Sequence, residues 1–122
     1  MKFTEELSTQ TQNVITGIEP GCIIVQQKKI NNAHIIAPDA LLAWDVGSFA
    51  EVEASDLEAV TQLKPEVIIL GTGETHILPD KPLLKALVET GIGFEVMDTA
   101  AACRTYNILI AEDRRAVVAL II

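Results

Sequence analysis

The sequence predicts an α/β fold, and three consecutive stretches carry that expectation. Val67-Ile68-Ile69-Leu70 is an apolar run of strand length that stops at Gly71-Thr72-Gly73; a strand apolar at every position is one covered on both faces. Leu83, Leu84, Leu87 and Val88 then recur at helical spacing between Asp80-Lys81-Pro82, a good helix start, and Gly91, a good stop. Gly93-Phe94-Glu95-Val96-Met97 supplies a second strand. Residues 67–97 therefore read as a β-α-β unit with a right-handed crossover and parallel strands.

The remaining elements follow from local signals. Residues 1–12, rich in Thr, Gln and Glu, show no clean period and read as a loosely ordered lead-in. Val14-Ile15-Thr16-Gly17-Ile18 and Cys22-Ile23-Ile24-Val25 flank Pro20-Gly21 and form a β-hairpin candidate. Lys28-Lys29 and Asn31-Asn32 punctuate the next stretch as solvated turns, and His34-Ile35-Ile36-Ala37 before Pro38 gives another strand. Residues 38–54 follow no single period. Ser55-Asp56-Leu57-Glu58 has the form of a capping box and predicts a short helix ending at Pro65, with Leu57, Val60 and Leu63 on one face. Asp98-Thr99 should start a further helix running to about Ala111, and Arg114-Arg115 should turn into a final strand through Ile122.

Composition bounds the possible roles. At 122 residues, one domain spanning 1–122 is the expected organisation. The longest apolar run is Ala116 to Ile122, far below the roughly 18 residues of a membrane helix, and the N-terminus lacks the apolar core of a signal peptide. A cytoplasmic protein without membrane insertion is expected. Nine basic against seventeen acidic residues give a net charge of −8, which opposes nucleic-acid binding. Cys22 and Cys103 lie far apart, with no CxxC and no His at ligand spacing, so neither zinc nor a disulfide framework is supported; no metal and no cofactor are expected.

In a parallel β-α-β arrangement the polar strand exits share one edge of the sheet, where ligands characteristically enter. Here the two exits are Gly71-Thr72-Gly73-Glu74-Thr75-His76 and Asp98-Thr99. Glycines permit positive φ and close approach, and a helix N-terminus offers unpaired N–H groups. The expected site is a polar cleft of Gly71, Thr72, Gly73, Glu74, Asp98 and Thr99, with Cys103, Arg104, Tyr106 and Asn107 on its inner wall. Each residue also has a structural reading. The glycines can simply make a tight strand exit, Arg104 can cap nearby carboxylates, and Asn107, poorly placed inside a helix, must find a compensating hydrogen bond or face solvent. Gly-Thr-Gly lacks the Lys of a phosphate-binding loop, and the third glycine of a dinucleotide fingerprint is His76. A Cys103 nucleophile with His76 or His34 as base, or acid–base roles for Asp45, Glu74 and Asp98, have no supporting spacing. Trp44 is either a core anchor or an exposed recognition residue.

Gly71-Thr72-Gly73 after its strand, the segment Gly91 to Thr99, the string Ala101-Ala102-Cys103-Arg104-Thr105-Tyr106-Asn107, Trp44, and the closing Leu109 to Arg115 together resemble the Mth938-like family. The resemblance runs from about residue 14 to the end. It implies a three-layer α/β fold with a central mixed sheet, and relatives that include a mitochondrial assembly factor for respiratory complex I, acting through protein contacts. One departure is Ala100, where the family pattern usually has Gly; its methyl group either narrows the cleft or reduces backbone freedom. Two readings stay open: a non-catalytic binding or assembly-type module with a protein partner, and a small-molecule anion site or enzyme in the same cleft. A homo-oligomer is a further possibility if the terminal strand lies at a sheet edge.

Overall fold

The computed structural model describes residues 12–122. The lead-in expected over residues 1–12 lies, apart from Gln12, outside the described residues. Ile15–Glu19 (β1), Cys22–Val25 (β2) and Lys28–Ile30 (β3) form a small antiparallel sheet in that order. Pro20 and Gly21 close the first hairpin, and the φ of 71° at Gly21 is what a glycine after proline supplies in a type II turn. Gln26 and Gln27 close the second with φ values of 47° and 74°, the signature of a tight turn whose twist matches the flanking strands. Lys28 and Lys29 thus belong to a strand rather than a turn. They are exposed, and Ile30 alone of β3 is buried.

His34–Ala37 (β4), Ala40–Ala43 (β5), Val67–Gly71 (β6), Gly93–Met97 (β7) and Ala116–Leu120 (β8) form a second sheet, in the order β5-β4-β8-β6-β7. It is mixed: β4 is antiparallel to β5 and β8, while β6 is parallel to β7 and β8. The β-α-β unit over 67–97 has the expected parallel pairing. The final strand, in contrast, is central and hydrogen-bonded on both sides, so it offers no edge for pairing across a subunit interface. Its five fully buried residues explain why: a strand apolar on both faces is most stable in the middle of a sheet.

Among the described residues the α-helices are Glu58–Thr61 (α1), Lys81–Glu89 (α2) and Thr99–Ala111 (α3). Side-chain alternation sorts the core into two layers. Ile36, Ile69, Val118 and Leu120 face α3 and the small sheet, meeting Ile15, Ile23, Cys103 and Tyr106. Ile35, Ile68, Leu70, Val117 and Ala119 face the other way, towards Trp44, Phe49, Leu57, Val60, Leu83 and Leu87. Each fully buried aliphatic side chain contributes about 1.5–3 kcal/mol of transfer free energy, so both faces of the sheet are strongly held.

The stretch 38–54, unassigned from sequence, holds β5 and a 3-10 turn at Phe49–Glu51. Trp44 is a core anchor, and its indole Nε1–H donates to the Asp56 carbonyl at 3.1 Å. The capping box sits two residues earlier than Ser55-x-x-Glu58. Glu53 and Asp56 satisfy each other's backbone N–H groups at the start of the 3-10 turn Ala54–Leu57, and α1 is its brief continuation. Burial of Leu57 and the Trp44 bond to Asp56 fix that register.

Candidate functional site

The exits of β6, β7 and β8 are tied into one corner of the molecule. The Thr72 N–H donates to the Met97 carbonyl at 2.9 Å, the Thr99 N–H to the Gly73 carbonyl at 2.9 Å, and the Ile121 N–H to the Gly71 carbonyl at 2.9 Å. Thr99 binds the corner through its side chain as well: its hydroxyl accepts from the Gly73 N–H at 2.8 Å and donates to the Ile121 carbonyl. Gly71 is required by close approach, since a Cβ there would lie 2.7 Å from a Leu120 methyl and 3.1 Å from the Thr99 Cα. Gly73, at φ 107°, takes a conformation that side chains disfavour. Thr72 is buried and shapes the loop. Its hydroxyl donates to the Thr75 carbonyl at 2.6 Å and accepts from the Ile77 N–H at 3.1 Å.

A cleft of about 280 Å³ opens beside this corner. Gly73, Glu74, Thr99 and Ala100 form one wall, the end of the β1–β2 hairpin from Ile18 to Gly21 forms the opposite one, and Ile23, Ile121 and Ile122 complete the lining. The expected neighbourhood of the two strand exits therefore exists. Its character differs from the expectation, because aliphatic side chains make up much of the surface and, among the described residues, the charged ones lining it are Glu19 and Glu74. The hairpin wall had no signature in the sequence; Ile18 beside Pro20-Gly21 reads as ordinary strand until the two sheets are packed together.

The remaining candidates have other work. Asp98 accepts the Ala101 N–H at 2.8 Å and so caps α3, placing a carboxylate where an anion would otherwise meet the helix dipole. Cys103 is fully buried in the core. Burial pushes its thiol up to about 12, with the Arg104 charge acting in the opposite sense, so it is a core thiol rather than the reactive nucleophile considered above. Tyr106 is buried too. Desolvation raises its phenol above the ordinary value, against a lowering by Arg115 and with a smaller raising by Asp39, and its hydroxyl donates to the Asn13 carbonyl at 2.7 Å. Asn107 accepts the Ile15 N–H at 3.0 Å and donates to the Ile15 carbonyl at 2.7 Å. It pairs with β1 as a neighbouring strand would, the compensating hydrogen bonds that its mid-helix position demanded. Arg104 is exposed and has no ion pair among the described residues; the ion pair there is Arg115 to Asp39 at 3.0 Å.

Fold and corner together define a class of small α/β modules in which a hairpin sheet and one helix cover a mixed sheet. A Bordetella parapertussis protein of known crystal structure shares this architecture with a TM-score of 0.85 at 41% identity, covering 91% of this chain and 96% of that one. A Bordetella pertussis protein described as a Mth938-like domain matches with a TM-score of 0.78 at 34% identity, covering 89% of this chain and 85% of that one. The chain belongs to the family described as protein of unknown function (DUF498/DUF598), whose model matches residues 15–121. NADH dehydrogenase (ubiquinone) 1 alpha subcomplex assembly factor 3 from Xenopus tropicalis is 35% identical over 100 residues, which cover 80% of this chain and 55% of that protein. The chain thus spans about half the length of the curated assembly-factor relatives it matches. No helix among the described residues is long and apolar enough to cross a membrane.

Proposed function

We propose that this chain is a non-catalytic binding or assembly-type module that holds a protein partner in the cleft between the β1–β2 hairpin and the exits of β6 and β7. The observation that carries this reading is kinship with proteins named assembly factors, 35% identical in the Xenopus tropicalis case. The burial of Cys103 and the capping role of Asp98 support it, because each gives a candidate reactive group a structural role. A cytoplasmic setting is part of the proposal, in keeping with two free cysteines. The other reading, an anion site or enzyme, has less support, since an anion entering the cleft would face Glu19, Glu74 and the Asp98 cap.

The test is a filled cleft. Ala100→Trp places a bulky ring among the lining residues while leaving the hydrogen bonds of the Thr99 corner intact. Affinity capture with the wild type and with this variant, its melting temperature checked, should give different partner sets. Identical sets from a fully folded variant would move the binding surface elsewhere. A melting-temperature screen with small anions is expected to show no stabilisation; a reproducible rise would favour the anion reading through binding linkage.

A further inference from the structure

Resting on that reading, we infer that the cleft takes an extended partner segment in which an aliphatic side chain stands next to a lysine or arginine. The size of the site comes first. At about 280 Å³ it has room for one or two side chains, near the lower end of the roughly 300–1,000 Å³ of ligand sites. Its chemistry comes second. Ile18, 41% exposed at the hairpin end, and the half-buried Ile121 and Ile122 leave aliphatic surface in water that an aliphatic side chain would cover.

Charge then selects the neighbour of that side chain. Glu19 on the hairpin and Glu74 on the β6 exit are both exposed, and among the described residues no basic side chain lines the cleft. A cation entering between the two walls meets a carboxylate from each, whereas a second acidic group would be repelled by both and by a chain of net charge −8. The same net charge disfavours a second copy of this chain as the occupant. The walls are also well positioned to receive a segment, one by the Pro20-Gly21 turn and the other by the Thr99 hydrogen bonds, so little ordering is required on binding.

The experiment is an amide NMR titration of the full chain with three capped pentapeptides whose central residues are Leu-Lys-Leu, Leu-Glu-Leu and Ser-Lys-Ser. The Leu-Lys-Leu peptide should shift the amides of Gly73, Glu74, Ala100 and Ile121 and bind about two- to tenfold tighter than Leu-Glu-Leu, the range expected of two solvent-exposed ion pairs. The Glu19→Gln/Glu74→Gln double variant should remove that preference, and Ser-Lys-Ser should bind more weakly than Leu-Lys-Leu to the wild type. Equal or tighter binding of Leu-Glu-Leu overturns the assignment, as does the absence of cleft shifts with every peptide. Self-association in sedimentation that Ala100→Trp abolishes would make a second copy the occupant and overturn it too. Any of these outcomes leaves the capture experiment free to show a cleft-dependent partner of another chemistry, so the two ideas can fail separately.

Discussion

The first turn of α3 and the two turns that follow it both carry polar side chains, yet they hold different parts of the molecule. Thr99 and Ala100 face the cleft and the strand exits. Tyr106 and Asn107 face the small sheet, and their side chains clasp the backbone of Asn13 and Ile15 by hydrogen bonds. A polar side chain in a helix therefore does not mark a site by its chemistry alone. What separates the two groups is which backbone they hold, the strand exits beside the cleft for Thr99 and the start of the small sheet for Tyr106 and Asn107, and that depends on where the hairpin sheet docks.

The comparison breaks most visibly at Asn107. Removing its amide by Asn107→Ala deletes both bonds to Ile15 and leaves a backbone donor and acceptor of β1 unpaired, a loss of about 2–4 kcal/mol at roughly 1–2 per group. Chemical denaturation should report that loss, and hydrogen exchange should rise first in β1 and β2. A loss below about 0.5 kcal/mol would mean that water replaces the amide and that the clasp is incidental.

Thr99→Val tests the opposite end at nearly constant shape. The Gly73 N–H and the Ile121 carbonyl lose their partner, and the expected cost is about 2 kcal/mol. Exchange should quicken at Gly73 and around Ile121 while β1 stays protected. Loosening of β1 instead would show that the first turn and the middle of the helix are one cooperative unit.

Cys103 sharpens the contrast through pH. Its folded-state thiol, raised from 9.0 to about 12, keeps its proton in a range where the unfolded chain loses one. The stabilisation is whole below about pH 9 and drains away as pH climbs from there towards 12, because over that window the unfolded state binds fewer protons. Cys103→Ala should flatten this part of the stability curve at alkaline pH. At neutral pH the native thiol should react with alkylating reagents only as fast as the chain opens, and rapid labelling of the folded protein would contradict its place in the core.

Much of this architecture was legible because it rests on local chemistry. The caps at Asp80 and Asp98, the Gly91 stop and the all-apolar 67–70 run each act within a turn or a strand, and each stands where the sequence put it. Residues 38–54 were opaque because Trp44, Phe49 and Val52 are placed by packing against the sheet and follow no period of their own. The order β5-β4-β8-β6-β7 depends on long-range pairing and had no signal in the sequence; family resemblance implied only that the sheet is mixed. At the site, the strand exits could be named in advance, but the hairpin wall at Ile18 to Gly21 is joined to them only through tertiary docking. Asn107 was singled out for the right reason, an unfavourable mid-helix position, and its partner proved to be β1 rather than a ligand.

The smallest expected effect on stability falls on a residue that lines the cleft. Glu74 is exposed, and its side chain has no hydrogen bond or ion pair among the described residues, so Glu74→Ala should change stability by less than about 0.5 kcal/mol. If the cleft recognises a basic segment, the same change removes one of its two carboxylates and weakens the Leu-Lys-Leu peptide by about two- to threefold, an effect that should shrink with added salt as surface charges are screened. Asn107→Ala should show the reverse pattern, a large loss of stability with cleft affinity retained in the folded fraction. Equal affinity losses from both substitutions would dissolve the division along α3, because the cleft would then depend on the docking of the hairpin as much as on its own residues.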